Sequence, residues 1–68
     1  MKEVTLLLRE AVDLHARENF IRDMRLGLDP NEDEFPLYVE EAEYILKTTG
    51  EGFIPDFPDH HMIYVENK

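Results

Sequence analysis

Proline sets the limits on this chain. Prolines stand at 30, 36, 55 and 58 and nowhere earlier. Each removes a backbone donor and is excluded from a helix interior or a paired central strand. The longest uninterrupted stretch is therefore residues 1–29. Within it Leu7, Ala11, Leu14, Ile21, Met24 and Leu28 recur at spacings of three or four, with Glu18 the one polar intruder. That period predicts an amphipathic helix over about 4–26. Its other face carries Arg9–Asp13, Asp13–Arg17 and Glu18–Arg22, pairs of opposite charge four residues apart. Gly27 suits the C-terminal cap, and Arg22 and Arg25 fall where the helix dipole favours cations. Val4–Leu8 is a short apolar run that also reads as a strand preceding the helix.

The later prolines divide the rest. Asp29-Pro30-Asn31-Glu32 has the form of a helix start, with an Asp cap and proline at the first position. Pro36 stops that helix from running on, which predicts an acidic turn over 29–35 and a separate helix over about 36–48. Leu37 or Tyr38, with Ala42, Ile45 and Leu46, forms its buried side, and Gly50 or Gly52 ends it. Residues 53–60 hold two prolines and two phenylalanines and read as an aromatic turn. Residues 61–66 are β-branched and aromatic and read as a strand. One strand cannot stand alone, so it pairs with Gly52–Ile54, with Val4–Leu8, or with its own copy in another subunit. The expected fold is a single α+β domain over 1–68: two antiparallel-packed helices with a C-terminal strand or hairpin.

A chain of 68 residues buries only about 60% of the surface its unfolded form exposes. Without cysteine no disulfide or thiolate metal site supports so small a core. Self-association is the expected remedy, most simply a homodimer. Serine is also missing, leaving Thr5, Thr48, Thr49 and the acids as candidate catalytic groups. A domain of this size struggles to enclose a water-free pocket, so no enzyme, catalytic residue, metal or cofactor is expected. No apolar run approaches the ~18–20 residues that cross a bilayer, and no secretory signal pattern opens the chain. A cytoplasmic protein is expected.

Charge is the sharpest functional signal. Residues 1–27 balance five acids against five basic residues, whereas residues 28–68 set eleven acids against Lys47 and Lys68 and hold the whole net charge of −9. Acids favour helix N-termini, which accounts for Asp29 and Glu32 but not for Glu51, Asp56, Asp59 and Glu66. Such a field attracts basic surfaces and repels nucleic acid and anionic membranes. From Asp29 to Glu43 there are seven acids over roughly 21 Å if the segment is mostly helical. Duplex DNA carries about twelve phosphates over that length. Carboxylates at half that density, doubled in a dimer, resemble a duplex to a basic groove.

In size and in the acids at 29–34, 40–43, 51, 56, 59 and 66, the chain resembles the small acidic DNA-mimic proteins of bacteriophages. These block uracil-DNA glycosylase, histone-like nucleoid proteins, restriction enzymes or CRISPR effectors. The resemblance covers the second half and lies in charge, with no shared motif. It implies a non-enzymatic inhibitor that occupies the basic DNA-binding surface of a host protein and does not itself bind nucleic acid. The expected contact acids are Glu32, Asp33, Glu34, Glu40, Glu41 and Glu43, then Asp56 and Asp59.

Rival readings attach to other residues. An acidic adaptor or regulatory subunit would dock through Phe53, Phe57 and Tyr64. Asp29, Asn31, Asp33 and Glu40 fall at positions 1, 3, 5 and 12 of a calcium loop, but Glu34 replaces its glycine and Pro36 breaks its strand. His15, His60 and His61 read as surface or boundary residues whose protonation the acidic field favours.

Overall fold

The structure, a computed structural model, describes residues 2–54 and 61–66. Strand β1 (Lys2–Leu6) leads into helix α1 (Leu8–Arg25). A single 3-10 turn (Glu32–Glu34) precedes helix α2 (Phe35–Thr49). Strands β2 (Glu51–Ile54) and β3 (His61–Val65) follow. The sheet order is β1-β3-β2, with β1 parallel and β2 antiparallel to β3. The result is the expected α+β domain, two packed helices on a three-stranded mixed sheet.

The helix expected over 4–26 is corrected at its start. Val4–Leu6 belongs to β1, and helical geometry begins only at Leu8. Val4 and Leu6 pair with Ile63 and Val65, so a partner nearly sixty residues away decides an apolar run that local periodicity leaves open. Leu7 is extended, and its carbonyl accepts the first helical bond, from Ala11, at 2.8 Å. The strand at 61–66 therefore pairs with both intrachain candidates, β1 and β2.

Alternation along the strands defines the sheet's two faces. The inner face stacks Val4, Ile63 and Gly52 in one row and Leu6 and Val65 in the next. Against it lie Ala11, Val12 and Ala16 of α1 and Ala42 and Leu46 of α2. The buried side chains at 11, 16 and 42 are all alanine. Helix α1 buries Ala11, Val12, His15 and Ala16, while Met24 in its last turn and the flanking Leu7 and Leu28 are exposed. In α2 the inward residue is Tyr38, while Leu37 faces away. Phe20 meets Phe35 and Tyr38 edge-on, with ring centroids 5.6 and 5.4 Å apart.

The ends follow local chemistry. Gly27 takes a left-handed φ of 86°, with Gly27 N–H on the Met24 carbonyl and Leu28 N–H on the Asp23 carbonyl. This is the Schellman arrangement that closes a helix. Gly50, at φ 78°, ends α2. Asn31, rather than Asp29, caps the 3-10 turn, its side chain accepting from Asp33 N–H. Asp29 sits at φ 50°, a conformation that Asp tolerates better than most residues.

Candidate functional site

The acids expected to make contacts occupy two places. Glu32, Asp33 and Glu34 form the exposed 3-10 turn at the N-terminal end of α2, where the helix dipole favours negative charge. Glu40, Glu41 and Glu43 are exposed on α2 itself. Successive helical positions turn by about 100°, so Glu41 and Glu43 point to opposite flanks and Glu40 lies between them on the outer side. Glu41 is on the flank toward α1, where its charge acts on His15. Glu43 pairs with Lys47 at 3.3 Å. The structure thus gathers 32–34 at one end of the molecule and spreads 40, 41 and 43 around α2. Asp56 and Asp59 lie outside the described residues.

Charge on α1 is handled differently. Arg17 pairs with Asp13. Arg22 reaches its neighbour Asp23 at 3.5 Å rather than Glu18. Tyr38 of α2 donates a 2.6 Å hydrogen bond to Asp23 Oδ2 and so ties the two helices together. That bond pushes the Tyr38 phenol up to about 12, because ionisation would lose it; desolvation and the charge of Asp23 act the same way. Among the described residues, Lys47 is the only cation in an ion pair with any of the six expected contact acids.

His15 departs from the expectation of a surface or boundary histidine. It is 4% exposed, its Nδ1 lies 2.9 Å from Asn19 Nδ2, and its ring rests on Gly52. Burial lowers its pKa from 6.5, Arg22 adds to this, and Glu41 opposes it. The expected rise in an acidic field is therefore reversed, because desolvation exceeds the pull of Glu41. The folded chain takes up this proton less readily than the unfolded one. His15 thus contributes stability that is fully present above pH 6.5 and is lost as pH falls from there toward the lower folded pKa. Between pH 8 and pH 5 the wild-type urea midpoint should fall, below pH 6.5, relative to that of His15→Gln. A wild-type pH profile parallel to that of His15→Gln would contradict the buried neutral ring.

Other candidate chemistry finds less support. No group of three or more acids or histidines is placed to hold a metal among the described residues. Of the proposed calcium loop, Asn31 is turned to the Asp33 amide and Glu40 lies well inside α2. A shallow depression of about 540 Å³ lies between Leu8, Val65 and the last turn of α2. Its ionisable side chain is Lys47, which Glu43 engages. On the outer sheet face Phe53, 47% exposed, and Tyr64 share one side with Met62 and Thr5; Phe57 lies outside the described residues. No helix among those residues is long and apolar enough to cross a membrane.

Two features were missed from sequence. One is His15, signalled by its place in the 11, 12, 15, 16 stripe of α1. The other is the exposure of Leu37 and Tyr44 on the outer side of α2, at 61% and 71%; their spacing of seven signals it. Comparisons with protein-family models, curated proteins and solved structures find no match to this chain.

Proposed function

We propose that this chain is a non-enzymatic acidic protein that occupies the basic nucleic-acid-binding surface of another protein, its carboxylates taking the place of phosphates. The observation that carries this reading is exposure without internal neutralisation. Glu32, Asp33, Glu34, Glu40 and Glu41 all face solvent, and among the described residues none of these five is in an ion pair. A protein with a small core keeps such self-repulsion only at a cost in stability, and a cationic partner relieves it. The support is charge and accessibility rather than one continuous rail, since Glu41 and Glu43 diverge. Self-association would bring further acidic turns to the same assembly.

The test is capture from bacterial lysate at low salt on immobilised chain, followed by a salt gradient. Wild type should retain basic nucleic-acid-binding proteins and release them steeply with salt, as counterion-displacing contacts require. A variant with Glu32, Glu34, Glu40, Glu41 and Glu43 changed to Gln and Asp33 to Asn should lose most of them. Equal retention by the two would contradict the reading.

A second reading is favoured by the outer sheet face, where Phe53 and Tyr64 lie together. An adaptor docking there would bind with a shallow salt dependence and would be indifferent to the six substitutions.

A further inference from the structure

We infer that the outer face of α2 is a docking surface for a basic amphipathic helix of the partner, with Leu37 and Tyr44 as its apolar anchors. The inference deepens the acidic-binder reading and rests on it. Positions 37, 40, 41 and 44 are spaced i, i+3, i+4 and i+7, which places them on one side of a helix. The opposite side, with Phe35, Tyr38, Val39, Ala42 and Leu46, faces the core. Leu37 and Tyr44 stand 61% and 71% exposed, with the exposed Glu40 and Glu41 between them. A single exposed leucine carries no information. Two large apolar side chains one heptad apart, interleaved with two carboxylates, present a composite surface.

Charge complementarity selects the occupant. A helix with aliphatic side chains on one stripe and Arg or Lys beside them meets both parts of this face. An Arg guanidinium can stack on the Tyr44 ring while bonding a glutamate. A second copy of α2 would instead set Glu40 and Glu41 near their own equivalents, in a chain of net charge −9. A basic helix is also the element that many DNA-binding folds lay against the duplex, so this occupant fits a partner whose nucleic-acid surface is being covered.

The experiment uses the full 15N-labelled chain and two synthetic Leu/Arg peptides of identical composition, one patterned as an amphipathic helix and one scrambled. The amphipathic peptide should bind about tenfold tighter and shift the amides of residues 37–44. Leu37→Ala with Tyr44→Ala should erase the difference between the peptides, while Glu40→Gln with Glu41→Gln should weaken both. Both pairs of side chains are exposed, and an unchanged spread of amide resonances will confirm that the variants fold. Equal binding of the two peptides would overturn helix docking and leave the acidic-binder reading standing. Shifts confined to the sheet face around Phe53, Met62 and Tyr64 would overturn docking on α2. No binding of either peptide at low salt would overturn both readings.

Discussion

Truncating Ile63 to alanine should lower the folding free energy by about 2–5 kcal/mol. Ile63 sits at the centre of the middle strand, fully buried, between Val4 and Gly52 in the inner row of the sheet. It is the strand's contribution to the core formed by Ala11, Val12, Ala16, Ala42 and Leu46. With small alanines around it, the site cannot collapse readily onto the space left behind, which favours the upper part of the range. A domain of this length has a total stability of roughly 3–10 kcal/mol, so the variant should lose a large share of it. Urea titration followed by far-UV circular dichroism measures this directly. Leu37→Ala, on the exposed side of α2, should stay within about 0.5 kcal/mol of wild type. A loss below about 1 kcal/mol for Ile63→Ala would mean that the sheet is not seated on the helices as described.

Adding one methyl group at Gly52 should also be costly. A Cβ there would stand 2.6 Å from His15 Cδ2, 3.0 Å from His15 Nε2 and 3.1 Å from Leu46 Cδ2. The φ of Gly52 is not among the positive values, so the penalty is steric rather than conformational. The ring cannot swing aside freely, because it is buried and held by Asn19. Overpacking of this kind costs about 1–3 kcal/mol. The cause can be isolated by a second substitution. In a His15→Ala background the obstructing ring is gone, and Gly52→Ala should then cost at least ~1 kcal/mol less than in wild type, a coupling typical of residues in contact. Strictly additive effects would contradict the close approach of α1 to β2.

The sequence makes the ends of elements plain and their partners obscure. Gly27, Gly50 and the prolines act within a few residues, so the stops of both helices and the acidic turn before Phe35 can be read locally. Strand β3 is likewise legible from its β-branched run. Val4–Leu6 is not, because its conformation is decided by pairing with Ile63 and Val65 across the length of the chain. The buried stripe of α1 is obscured for a related reason. Leu7, Leu14 and Ile21 dominate any hydrophobic pattern, yet the buried positions are Ala11, Val12, His15 and Ala16, with Leu14 only partly buried against them. Among the functional candidates, the presence and exposure of the acids are legible in the sequence, whereas their direction depends on the placement of α2. The divergence of Glu41 from Glu43 follows from helical geometry alone once α2 is accepted. The interleaving of Leu37 and Tyr44 with Glu40 and Glu41 follows from the same step.

The most direct test of phosphate replacement is competition. Basic proteins held on immobilised wild-type chain at low salt are challenged with excess duplex DNA at constant ionic strength. If the carboxylates occupy the nucleic-acid-binding surface, the duplex should release the retained proteins into solution as protein–DNA complexes. Proteins that stay on the chain while also binding the added duplex would contradict the account, because the two ligands would then sit on different surfaces.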